Sequence, residues 1–144
     1  MNRTSELNRL IEFYEHLTLE SVAQQLPTIY AANARFKDPF NQVQGLGAIT
    51  HIFVHMFKQV NHPRFIVLTR IIQGNDAFIT WEFRFHMKRF SKEEQCILGA
   101  THLRFDASGL VNEHRDYWDA AEELYEKLPL IGALMRMLKK AARS

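Results

Sequence analysis

Cysteine occurs once in the 144 residues, at Cys96. A single thiol cannot close an internal disulfide, so packing and hydrogen bonds must hold the fold, and the count suits a reducing compartment. Cys96 lies in the apolar run QCILGA, where a buried, inert thiol is expected rather than a nucleophile. Charge of one sign is scarce too: 18 Lys and Arg against 16 Asp and Glu leave a formal +2. That excess is too small for the basic footprint of a nucleic-acid binder, so no nucleic-acid partner is expected. No uninterrupted apolar stretch approaches the ~18 residues of a membrane span. The opening MNRTSELNRL has no apolar core of secretion-signal length, and a cytoplasmic protein is expected. With four prolines, six glycines, and no repeat, linker or low-complexity segment, a single domain over 1–144 is expected.

What the chain has in quantity is aromatic: 11 Phe, 4 Tyr and 2 Trp. Such rings either fill a core or wall a pocket for an apolar ligand, and composition does not separate the two uses.

The spacing of Leu7, Leu10, Ile11, Tyr14 and Leu17 predicts a helix over 4–17. Thr18 suits an N-cap, with Glu20 in the first turn of a second helix reaching Gln25 and ended or restarted by Pro27. A short strand at 34–37 is stopped by Asp38-Pro39, since proline restricts the residue before it and donates no hydrogen bond. Gly45 and Gly47 open a third helix with Ile49, Ile52, Phe53, Met56 and Val60 on one side. RFIVLTRIIQ, from Arg64, is a strand, and Gln73–Asp76 is turn chemistry. AFITWEFRFHMKR then alternates, with Ala77, Ile79, Trp81, Phe83, Phe85 and Met87 on one face. QCILGATHLRFD, a turn at Asp106–Gly109, and LVNEHRDYWD make two more strands. A final helix over 119–142, interrupted at Pro129, completes the chain. Helices that arrive first must cover the apolar face of the later antiparallel strands, which predicts an α+β fold with a curved sheet wrapped around helices and a hollow at its wide end.

Three segments carry a family resemblance: YAANARFKDPF with GLGAI after it, LRFDASGLV, and EHRDYWD. In this order they resemble the nuclear-transport-factor-two-like superfamily, in its SnoaL-like and ketosteroid-isomerase-like branches, over about residues 5–120. The resemblance implies a cone-shaped, cystatin-like roll, a homodimer through the outer sheet face as in many relatives, and a cavity binding a small apolar molecule. In the isomerases the Asp-Pro aspartate is the general base and a first-helix tyrosine holds the developing enolate oxygen. Asp38 and Tyr14 match those positions, and Tyr30 matches another tyrosine of the same enzymes. Thr101 matches the second oxyanion donor, with a hydroxyl where the isomerases have a carboxylic acid. HRDYWD also resembles the last strand of limonene-epoxide hydrolase, placing Asp116 at its catalytic aspartate. The arginine and second aspartate of that hydrolase are matched by none of Trp81, Phe83 and Phe85.

Read as chemistry, Asp38 is a base between Phe36 and Phe40 or a turn aspartate accepting backbone amides. Period two places Asn112, His114, Asp116 and Trp118 on one face of the last strand, which the resemblance turns to the cavity. His114 and Asp116 are then a second acid/base or a structural hydrogen-bonded pair. Tyr14 lies on an apolar stripe and equally suits a core tyrosine. His51 and His55 have a zinc-compatible spacing, but Ile52 stands where a zinc protease needs glutamate and no third ligand is signalled. His55 is a cavity candidate instead, with Tyr30, Trp81, Phe83, Phe85 and Trp118 as ligand-binding neighbours. The basic tail PLIGALMRMLKKAARS suits a helix packed on the domain or its partner, or closing the cavity mouth, in preference to one resting on a membrane surface. The expected function is proton transfer on a small, largely apolar substrate: isomerisation, cyclisation or dehydration. It requires neither organic cofactor nor metal. The alternative is a non-catalytic module binding a ligand or a protein on the same cone.

Overall fold

Helices with one apolar stripe and strands with one apolar face bury each other here. In the computed structural model, which describes residues 2–89, 92–119 and 140–142, helices α1 (Thr4–Glu15) and α2 (Leu19–Ile29) come first. Strands β1 (Tyr30–Lys37) and β2 (Gln42–Gln44) precede helix α3 (Leu46–Gln59). Four long strands follow: β3 (Val60–Gln73), β4 (Asp76–Met87), β5 (Glu94–Phe105) and β6 (Val111–Tyr117). The sheet runs β2-β1-β6-β5-β4-β3, curved and unclosed, and every neighbouring pair is antiparallel except β1 with β6. This is the expected α+β architecture.

The core lies between the concave face and the helices, with Leu7, Leu10, Leu26, Ile49, Ala77, Leu103 and Val111 excluded from solvent. Thr18 caps α2 as expected, exchanging hydrogen bonds with Ser21. Arg3, buried at 5% exposure, pins the start of α1 to two hairpin turns. Its guanidinium donates to Asn75 Oδ1 at 3.0 Å and to the carbonyls of Asp106 and Ala107, while pairing with Glu6 at 3.0 Å. At the other end of α1, Glu15 accepts the Val67 amide of β3 at 3.0 Å, beside a register shift between Val67 and Thr69. These ties hold Tyr14 against the sheet.

Several boundaries differ from expectation. Pro27 does not end α2 but sits inside it on the solvent side, while Leu26 and Ile29 are buried and carry the helix one turn further. α1 stops at Glu15 instead of Leu17. β1 begins at Tyr30, four residues early, because a register shift between Tyr30 and Arg35 hides its alternation. β2 was not foreseen; the turn at Asp38 sends the chain back along β1. β3 begins at Val60, running through Pro63 at the sheet edge, where His62 adopts φ +52° beside a bulge. Cys96 is half-buried, because Ile97 and not Cys96 faces inward. The expected final helix lies outside the described residues except for 140–142, which are helical.

Candidate active site in the cavity

Parallel pairing of β1 with β6 sets Phe36 opposite His114 and Lys37 opposite Arg115. Alternation then turns Phe36 and His114 inward, and their rings stack at 4.5 Å. Beyond them, Asp38 follows just past the end of β1 and Asp116 lies on β6, then come Phe40 and Trp118 in edge-to-face contact at 5.6 Å.

These residues form one end of a pocket of about 670 Å³. Strand β4 contributes Ile79, Trp81, Phe83, Phe85 and Met87, and β5 contributes Ile97 and Thr101. The opposite wall is α3, through His51, Ile52, Phe53, His55, Met56 and Gln59, with Tyr14 from α1 and Phe65 and Val67 from β3. Phe65, Phe83 and Phe85 form a continuous stack, with centroids 4.6 and 5.0 Å apart.

A hydrogen-bonded chain runs behind this lining. The Tyr14 and Tyr30 hydroxyls are 2.6 Å apart, and Tyr30 lies 2.8 Å from His114 Nδ1. His114 Nε2 is 2.7 Å from Asp116 Oδ1. The same oxygen accepts from Thr101 Oγ1 at 2.6 Å, and Thr101 in turn accepts from Trp81 Nε1 at 2.8 Å. Indole N–H only donates and carboxylate only accepts, so the proton directions follow by inference. With neutral imidazole, Tyr14 donates to Tyr30, Tyr30 donates to Nδ1, and the Nε2 proton goes to Asp116. Both arms therefore converge on one carboxylate oxygen. Asp116 Oδ2 receives no hydrogen bond from a described residue. Burial holds both tyrosine hydroxyls above their ordinary pKa, with the negative charge of Asp116 adding to the effect. They stay protonated.

The chain revises individual expectations. Asp116 and His114 come together as the last strand's alternation implied, with Asp116 the less buried at 17% side-chain exposure against 3%. Thr101 lines the pocket, but its single proton is directed to Asp116, so it is not placed as an oxyanion donor in this arrangement. The Tyr14 proton is likewise directed to Tyr30 rather than into the pocket. Tyr30, expected among the ligand-binding residues, is fully buried and absent from the lining. Asp38 lines the pocket, yet its Oδ1 accepts the amides of Phe40 at 2.8 Å and Asn41 at 2.7 Å, plus Asn41 Nδ2. That is the turn-aspartate arrangement. His55, Trp81, Phe83, Phe85 and Trp118 all line the pocket. Asn112 does not, because it is the extra residue of a bulge: Arg104 pairs with Glu113 and Phe105 with Val111.

Gly99 was overlooked by the sequence reading. It lies directly opposite Trp81 across β4 and β5, and a Cβ there would sit 2.3 Å from the indole Cη2. Only glycine lets the indole lie flat along the strand pair and reach Thr101. The isolated glycine inside an otherwise regular strand was the available signal.

A second, more open depression of about 640 Å³ adjoins the β3–β4 turn. Its charged groups satisfy one another: Asp76 accepts from His102 at 2.8 Å and from Arg104 at 3.2 Å. Among the described residues no three His, Cys, Asp or Glu are grouped to hold a metal ion, and no helix is long and apolar enough to cross a membrane.

Solved structures show the same fold. A protein with a ketosteroid-isomerase-like fold from Catenulispora acidiphila, in complex with trimethylamine, is 16% identical with a TM-score of 0.73, covering 88% of this chain and 95% of its own. A nuclear-transport-factor-two-like protein of unknown function from Burkholderia pseudomallei is 15% identical with a TM-score of 0.71, covering 85% and 94%. A protein assigned as a SnoaL-like polyketide cyclase from Shewanella putrefaciens is 18% identical with a TM-score of 0.67, covering 83% and 96%. At these identities the likeness establishes the fold alone. No curated protein sequence matches the chain. The SnoaL-like domain family matches residues 10–114, most of the chain, and the protein belongs to that family.

Proposed function

We propose that the pocket performs proton transfer at a carbon next to a carbonyl, with Asp116 as the base. The supporting observation is the asymmetry of its carboxylate. His114 and Thr101 fix Oδ1, while Oδ2 has no described partner and the side chain borders the pocket. A base needs a fixed orientation and a free lone pair, and Asp116 combines them. Asp38, first in line from the resemblance, has its Oδ1 filled by the turn and its Oδ2 accepting from Asn41 Nδ2 at 3.2 Å. In the reaction Oδ2 takes the C–H proton, and the C–H pair forms the C=C bond as the carbonyl π pair moves to oxygen. Collapse of this enolate either takes the proton back from the acid at another carbon or breaks the bond to a leaving group that the acid protonates. Tyr30 acts through His114: by donating to Nδ1 it keeps the Nε2 proton aimed at Asp116.

A neutral carbon acid with a chromogenic product tests this. Abstraction of the ring proton of 5-nitrobenzisoxazole breaks its N–O bond and releases a coloured phenolate. The wild type is expected to accelerate this step over buffer, and Asp116→Asn to lose about 100-fold or more of the acceleration. Asp38→Asn should stay within about threefold of wild type, since it supplies no base. Loss on Asp38→Asn instead would return the role to that residue. An absence of acceleration in the wild type would leave the non-catalytic binding module as the better reading.

We also propose a homodimer through the outer sheet face. Ile71, Phe78, Leu98 and Tyr117 are between 47% and 58% exposed there, an apolar centre flanked by Arg64, Arg84, Glu94, Asp76 and Arg104. A patch with both signs at its rim can face its own two-fold copy. Size-exclusion chromatography with light scattering is expected to give a dimer for the wild type and a monomer for Phe78→Glu with Leu98→Glu. A wild-type monomer would overturn it.

A further inference from the structure

We infer that the ligand of this pocket carries a positively charged nitrogen, as a tertiary or quaternary ammonium, on a largely apolar body. The inference rests on reading the pocket as the functional site and adds the ligand's charge. Among the described lining residues none is Lys or Arg, and the two acids are Asp38 and Asp116. Both stand one position beyond the last paired residues of β1 and β6, Lys37 and Arg115, and so side by side at one end of the cavity. An anionic ligand would face two like charges there, and a neutral one would cover them without any compensating contact.

The walls point the same way, independently of the acids. Phe36 stacked on His114, Phe40 against Trp118, and the stack running from Phe65 bring aromatic faces and edges to the same space. Ring faces attract a desolvated cation, and a soft, weakly hydrated ammonium exploits them best. A metal ion would need a cluster of hard ligands that the described residues do not form. The lining groups able to carry positive charge are imidazoles. His114 is committed to Asp116, while His51 and His55, on the α3 wall of the pocket, are open to solvent and stacked on each other at 6.2 Å.

Both tryptophans of the chain, Trp81 and Trp118, border the pocket, so intrinsic fluorescence reads its occupancy directly. Three probes of one shape separate charge from fit: choline, its neutral isostere 3,3-dimethylbutan-1-ol, and the anion 3,3-dimethylbutanoate. At about pH 8, where ordinary imidazoles are neutral, choline is expected to bind roughly tenfold tighter than the alcohol, and the anion weakest. Asp38→Asn should lower the cation preference, and Asp38→Asn with Asp116→Asn should abolish it, the loss of affinity falling on choline and not on the alcohol. Phe40→Leu, at a half-exposed ring that the fold does not need, should lower the preference by about threefold. Equal binding of choline and alcohol, tightest binding of the anion, or a preference that survives the double substitution would each overturn the inference. Choline's quaternary nitrogen has no proton to transfer and the benzisoxazole has no charge. Failure of the one experiment is therefore distinct from failure of the other.

Discussion

Gly99→Ala is expected to lower stability by about 2–3 kcal/mol and to disable the pocket together with it. The added Cβ would lie 2.3, 2.5 and 2.8 Å from Cη2, Cζ2 and Cζ3 of Trp81, distances at which something has to move. Cβ is fixed to the backbone, so the indole must lift from the strand pair. Lifting breaks the 2.8 Å bond from Nε1 to Thr101, whose own proton fixes Asp116. A methyl group on a strand lining thus reaches the proposed base through two hydrogen bonds. Urea denaturation gives the stability loss, and a shift in tryptophan emission gives the ring displacement. The decisive arm is Trp81→Phe combined with Gly99→Ala. Phenylalanine lacks the three clashing atoms, so the pair should be less destabilised than the sum of the two single changes. Strict additivity would show that the glycine serves some other purpose.

His114→Leu is expected to be more damaging, about 3–5 kcal/mol. The ring touches three things at once: it accepts from Tyr30, donates to Asp116, and stacks on Phe36. Leucine fills much of the volume and replaces neither hydrogen bond. A fully buried tyrosine hydroxyl loses its acceptor and a mostly buried carboxylate loses a donor, and each loss is costly. The measurement is again the urea midpoint, with circular dichroism to confirm the fold. His114→Leu combined with Asp116→Leu should recover part of the loss by removing the stranded charge. If the double variant is no better than the single one, the stacking on Phe36 dominates over the ion. Tyr30→Phe should be milder than His114→Leu, since Tyr14 Oη already lies 3.4 Å from Nδ1 and can take over as donor.

The sequence made the fold legible where burial and periodicity coincide. β4 alternates without a fault, and its inward residues are the ones read from the spacing. Where a bulge breaks the period, the reading failed with it: β1 was cut short by its shift after Tyr30, and Asn112, the extra residue of a bulge, does not line the pocket. Pro27 was overweighted because a sequence does not show that the freed backbone groups point to water. The site was legible as a set of residues but not as a circuit. That Asp116 and His114 interact follows from their spacing. That Tyr14, Tyr30, Thr101 and Trp81 supply the two ends of one hydrogen-bonded chain depends on strand register, which no local pattern encodes. Asp38 was read from resemblance as the base, and the turn it closes with Phe40 and Asn41 was the plainer local signal.

The single parallel seam, β1 against β6, has a consequence for how the molecule comes to be active. It joins the first strand of the sheet to the last, so its two carboxylates become neighbours only after every intervening hairpin has been laid down. Contacts so distant along the chain form late. A nascent or nicked polypeptide can therefore hide its greasy surfaces well before it acquires any chemistry, and recovery of function after denaturation should lag behind recovery of helix and hairpin signals.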